Sequence, residues 1–131
     1  MATIIKEITI DASPEAVWDV VADFGAVHRR FAPGFVTDVK LEPGARLVTF
    51  ASGRVFREVF LGADADARRL AYSIRDSLFT HHSASFQVSD AGGGRTRLVW
   101  TADLLPDEIA PTVAGMMQQG LAVAKDALAS A

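Results

Sequence analysis

The chain has 131 residues, no cysteine, a formal net charge of −3, and a composition that is half hydrophobic and 22% charged. The missing cysteine excludes disulfides, thiolate metal sites and a cysteine nucleophile. The acidic balance argues against a nucleic-acid-binding face, and the apolar content argues against a disordered tail. No apolar run approaches the roughly 20 residues of a membrane span. The start, Met1-Ala2-Thr3-Ile4-Ile5-Lys6-Glu7, alternates and carries charge, so it reads as a strand and not as a signal peptide. The expectation is one domain over 1–131, cytoplasmic, with no membrane insertion and no nucleic-acid partner.

In chain order, the first predicted strand covers 3–10, with Ile4, Ile8 and Ile10 on one face and Lys6 between them. Ser13 then offers a helix cap and Pro14 a first helical position. Val17, Val20, Val21 and Phe24 recur at helical spacing, with Trp18 beside them, and Gly25 is expected to stop that helix. A short second helical piece is predicted over 26–31, ending at Ala32-Pro33-Gly34.

From there the period changes to two. Strands are predicted over 35–41, 46–50, 54–61, 69–75, 81–88 and 95–104, joined by Pro43-Gly44, Ala51-Ser52-Gly53, the polar turn at 64–66 and Gly92-Gly93-Gly94. Closely spaced strands with short turns of this kind make an antiparallel meander. After Pro106, residues 108–129 read as one long helix capped by Asp107, its start loosened by Pro111. Ile109, Val113, Met116, Met117, Gly120, Ala124 and Leu128 form its apolar stripe. At about 1.5 Å per residue it spans about 33 Å, enough to cross a small sheet.

An antiparallel sheet with one wet face must bury the other, and the C-terminal helix is the only partner large enough. The fold class is therefore α+β, a curved seven-stranded antiparallel sheet wrapped around a long helix, with two short helices after the first strand.

The alternation sets Phe56, Glu58 and Phe60, then Leu70, Tyr72 and Ile74, then His82, Ala84, Phe86 and Val88, then Leu98, Trp100 and Ala102 on the inner faces of successive strands. Glu58, Tyr72 and His82 thus meet in one interior. Burying an ionisable group without a partner costs several kcal/mol, so three such groups point to the polar end of a cavity. On the facing helix, Gly120 suits a close approach and Met116 and Met117 suit an adaptable wall. Each also has a plainer reading: methionine as core, Gly120 as a seat for the helix, His82 as a satisfied core histidine, Glu58 in water on a shifted strand. The expected ligand wall is Phe31, Phe35, Phe56, Glu58, Phe60, Tyr72, Ile74, His82, Ala84, Phe86, Trp100, Val113, Met116, Met117 and Gly120.

The run Ile10-Asp11-Ala12-Ser13-Pro14-Glu15-Ala16-Val17-Trp18 carries a family resemblance over essentially the whole chain. Arg68 to Ile74, Arg97-Leu98-Val99-Trp100 and Leu105-Pro106-Asp107-Glu108 support it. The sequence resembles the START-like, birch-pollen-allergen-like helix-grip (SRPBCC) superfamily, in particular its bacterial branch of polyketide cyclases/dehydrases and lipid-transport proteins. The resemblance implies a hydrophobic tunnel between sheet and helix that takes a lipid, a polyketide or an aromatic compound. From the hormone-receptor branch it implies that Glu58, Tyr72 and His82 face the pocket and that the loops at 51–53 and 76–80 form its mouth. The receptors' latch and gate sequences are not reproduced, and no iron or iron–sulfur ligand set is present.

Three functions remain in view. The first is binding or transport of a small hydrophobic ligand, without a cofactor or metal, by a monomer or homodimer. The second is polyketide cyclase/dehydrase-like catalysis, with His82 as base, Glu58 as its orienting carboxylate and Tyr72 donating to a developing enolate. The third is regulation of a protein partner through an exposed apolar patch near Trp18 or Phe24. His81 and His82 are adjacent on a strand and point to opposite faces, so they cannot chelate a metal from one side.

Overall fold

The computed structural model describes residues 1–129. Strand β1 (Ala2–Ile10) is followed by helix α1 (Pro14–Val21) and a single π-helical turn (Val27–Phe31). Six strands follow: β2 (Val36–Glu42), β3 (Ala45–Phe50), β4 (Val55–Asp64), β5 (Arg69–Arg75), β6 (His81–Gly92) and β7 (Arg95–Leu105). A short 3-10 turn (Asp107–Ile109) leads into helix α2 (Ala110–Leu128). The strands form one antiparallel sheet in the order β1-β7-β6-β5-β4-β3-β2. Strands β2 to β7 are the expected meander. β1 joins at the far edge beside β7, so α1 and the π-turn carry the chain from one edge of the sheet to the other.

Local chemistry explains the boundaries. Ser13 Oγ accepts from the Ala16 N–H at 3.2 Å and Pro14 opens the helix, as expected. Such a cap is worth about 1 kcal/mol. The helix ends earlier than predicted. Ala22 is its C-cap, and Gly25 lies beyond it, where its missing Cβ leaves room for Leu41. At Pro43-Gly44 the glycine has φ +69°, the left-handed conformation that the second central residue of a type II turn requires.

The start of the long helix also differs from expectation. Pro111 falls in the first turn of α2, where its missing N–H is harmless. The cap position is Ile109 and provides no side-chain hydrogen bond, so Asp107 does not cap this helix and sits instead in the 3-10 turn. The buried stripe is Val113, Met117, Gly120, Leu121, Ala124 and Leu128, with Met116 half-buried at its edge. Ile10, Leu98, Leu104 and Leu128 are fully buried. Each contributes about 1.5–3 kcal/mol by leaving water. α2 approaches the sheet most closely along β1 and the π-turn and stands further off from β3–β6, which leaves space for a cavity beneath it. Among the described residues no helix is long and apolar enough to cross a membrane.

Candidate functional site

A cavity of about 210 Å³ lies between the inner face of the sheet and α2. Most of the expected wall residues face it. Phe56, Glu58, Tyr72, Ile74, His82, Phe86 and Trp100 come from the sheet, Phe31 and Phe35 from the approach to β2, and Val113, Met116, Met117 and Gly120 from α2. Phe60 and Ala84 do not line it. Phe60 pairs with Tyr72 and so keeps the inner face, but it lies one step along β4 beyond Glu58, outside the cavity, 40% exposed and with its ring 5.4 Å from that of Phe24. Ala84 is buried between His82 and Phe86 and opposite Tyr72, and its methyl is too short to reach past those rings.

The mouth is marked by wall residues that remain half-exposed: Phe35, Phe50, Leu78, Ile109 and Met116. Leu78 and Phe79 belong to the 76–80 loop, which therefore reaches the cavity. The 51–53 turn is exposed and contributes through its neighbour Phe50 instead. A Cβ on Gly120 would meet Phe35 Cε2 at 3.2 Å and Trp100 Cζ3 at 3.4 Å. The close approach that this glycine permits is thus made by two aromatic rings of the cavity wall.

The inner end is polar and crowded. Glu58 is buried, as the alternation of β4 requires, and its partner is Arg46 on β3, directly across the ladder. Arg46 Nε donates to Glu58 Oε1 at 2.9 Å and Nη2 lies 2.7 Å from the same oxygen. Nη1 donates to the Phe24 carbonyl at 3.0 Å. The guanidinium carbon lies 3.9 Å from the centroid of the Phe24 ring and 5.5 Å from that of Tyr72. Arg46 therefore ties the segment after α1 to the sheet through one charge-assisted and aromatic contact set. The sequence reading missed Arg46. The signal was present, since Arg46 has the same parity as Val48 and Phe50, which also face the cavity.

Tyr72 accepts a hydrogen bond from Trp100 Nε1 at 3.1 Å. Its hydroxyl proton has no acceptor among the described residues. Burial first, and then the negative charge of Glu58, push its ionisation upward, so it remains a donor. His82 Nδ1 accepts the Ile74 backbone N–H at 2.9 Å, which assigns the remaining proton of the neutral ring to Nε2. Burial first, and then the charge of His81, lower its pKa to about 4. The ring sits 4.9 Å from Phe79 and 5.8 Å from Tyr72. Nε2 makes no hydrogen bond to the described residues.

These bonds correct one expectation. His82 and Glu58 do not form a base and its orienting carboxylate. Glu58 is held by Arg46, and His82 is oriented by a backbone N–H. With Nδ1 occupied and the proton on Nε2, His82 meets the cavity as a donor. Near neutral pH the site presents two neutral donors, Tyr72 and His82, beside an internally compensated ion pair. The patch expected near Trp18 and Phe24 is half-buried: Trp18 packs against the core, and Phe24 is covered by Arg46 and Phe60. His81 is exposed on the opposite face of β6 from His82.

A curved antiparallel sheet closed by a C-terminal helix over an apolar cavity defines the helix-grip, START-like class. The family described as polyketide cyclase/dehydrase and lipid transport matches residues 1–129, and the chain belongs to it. No curated protein matches the sequence. Among solved structures, the chain is similar to a START superfamily protein from Mycobacterium smegmatis, at 18% identity and TM-score 0.73, covering 97% of this chain and 94% of that one. It is similar to truncated norcoclaurine synthase from Thalictrum flavum, at 18% identity and TM-score 0.75, covering 98% and 91%. It is also similar to the di-domain ARO/CYC BexL of the BE-7585A biosynthetic pathway, at 17% identity and TM-score 0.82, covering 98% of this chain and 46% of that one. At these identities the likeness is one of fold.

Proposed function

We propose that this protein binds and carries a small hydrophobic molecule of one or two rings in the cavity, acting as a single cytosolic domain. The observation that carries this reading is the cavity itself: about 210 Å³, walled by apolar side chains, with a few polar groups gathered at one end. That is the usual form of a small-ligand site. An engineered apolar cavity of about 150 Å³ holds benzene, so this volume suits a ligand somewhat larger than one ring. The half-exposed mouth residues give such a ligand a way in.

Native mass spectrometry of the purified protein, before and after denaturation, tests the reading, together with displacement of a fluorescent apolar dye. The expected result is a co-purifying small molecule, or a dye that binds with one-to-one stoichiometry and is displaced by aromatic compounds. An empty protein that also takes up no dye contradicts it.

A second reading is supported by the two neutral donors. Tyr72 and His82 can stabilise charge developing on an enolate oxygen, as cyclisation of a polyketide-like substrate demands. Similar folds include a synthase and an ARO/CYC protein. Turnover of a polyketide-like substrate that falls at least tenfold in Tyr72→Phe would favour catalysis through this hydroxyl, equal turnover in the variant would contradict that role, and no turnover by the wild type would leave binding alone.

A further inference from the structure

The polar end of the cavity carries a specific balance of charge. Among the described residues lining it, Arg46 is the one permanent cation and Glu58 the one carboxylate. Arg46 is already engaged by Glu58 Oε1 through Nε and Nη2, and by the Phe24 carbonyl through Nη1. Its faces lie against the rings of Phe24 and Tyr72. Glu58 Oε2 accepts no hydrogen bond from the described residues. At this end the donors left for a ligand are the Tyr72 hydroxyl and His82 Nε2, whose rings stand 5.8 Å apart, while the remaining hydroxyl of the wall, that of Thr112, stands exposed in the first turn of α2.

We propose that the cavity selects uncharged ligands bearing a hydrogen-bond-accepting oxygen, such as aryl ketones, over carboxylates of the same shape. This deepens the binding reading and rests on it. A carboxylate taken from water into an apolar site needs a cation or several donors to replace its hydration. Here the cation is neutralised in contact by Glu58, and a second carboxylate beside Glu58 would meet like charge. A ketone oxygen needs only one or two neutral donors, and Tyr72 and His82 provide them. His82 reinforces the selection because burial keeps its ring uncharged near neutral pH.

The test compares acetonaphthone with naphthoate, in which an anionic oxygen replaces the ketone methyl, by titration calorimetry on the intact protein at about pH 7, where the carboxylate is ionised. The expected result is that the ketone binds and naphthoate binds about tenfold more weakly or worse. Naphthoate binding as tightly as the ketone overturns the selection and leaves the binding reading standing. If neither binds while the dye and mass measurements are also blank, the binding reading fails and the selection falls with it. Glu58→Gln uncovers the Arg46 charge and is expected to narrow or reverse the preference. An unchanged preference in a folded Glu58→Gln protein overturns the role given to the ion pair. Should that variant fold poorly, the wild-type comparison decides alone.

Discussion

The two ends of the cavity are built differently. At the inner end every polar side chain has at least one fixed partner: Arg46 with Glu58 and Phe24, Tyr72 with Trp100, His82 with Ile74. At the mouth, Phe35, Phe50, Leu78, Ile109 and Met116 are half-exposed and make apolar contacts only. Directional bonds hold the inner end in one arrangement, whereas the mouth can repack around different shapes. The difference assigns recognition of a ligand's polar atom to the inner end and tolerance of its ring system to the mouth. It also predicts that stability is far more sensitive to substitution at the inner end.

The largest effect is expected at the ion pair. Arg46→Met alone leaves Glu58 buried without its partner and should cost about 3–5 kcal/mol in a denaturant titration. Arg46→Met combined with Glu58→Leu removes both charges and should recover most of that loss, because a buried pair replaced by apolar groups is often neutral. A single variant as stable as wild type would show that the inner end is not held by charge.

Next comes His82. Its folded pKa of about 4 lies below the ordinary value of 6.5, so between these pH values the unfolded chain binds the proton more readily. The stabilisation is fully present above about pH 6.5 and is lost as pH falls toward about 4, on the order of 3 kcal/mol in all. His82→Gln should flatten stability over that window. A wild-type profile that is already flat there contradicts the burial assigned to the ring.

Tyr72→Phe deprives the Trp100 N–H of its acceptor and should cost about 1–3 kcal/mol, with a parallel loss of affinity for ketone ligands. At the mouth, Met116→Ala removes a half-exposed side chain and should change stability by less than about 1 kcal/mol while widening the range of ring sizes accepted. If Met116→Ala proved as costly as Tyr72→Phe, the contrast between the two ends would not hold.

Much of this architecture was legible in the residues. Period-two alternation identified the inner faces of β4 to β7, and with them Glu58, Tyr72 and His82, because a strand offers a side chain only two directions. The same rule extended to β3 places Arg46 inside, but only Val48 and Phe50 announce the inner parity there, and an arginine at a strand start reads as solvated. Phe60 has the expected face, since it pairs with Tyr72, but it does not line the cavity, because alternation gives the face of a side chain and not how far along the strand the cavity reaches. The pairing of His82 with a backbone N–H, and of Glu58 with Arg46, depends on which strand lies beside which, and single-strand alternation is silent on that. Asp107 looked like a helix cap because acidic residues favour that position. Pro111 fits only the first turn, and the helix accordingly begins later.

The most direct test of the central claim uses the two tryptophans. Trp100 lines the cavity and donates its indole N–H to Tyr72, whereas Trp18 packs against the core on α1 away from the cavity wall. In a nitrogen–proton correlation spectrum each indole gives one signal. Titration with acetonaphthone should shift the Trp100 signal in a saturable way and leave that of Trp18 in place. Both signals unmoved up to the solubility limit of the ligand, or Trp18 shifting with Trp100 unmoved, would contradict a ligand site in this cavity.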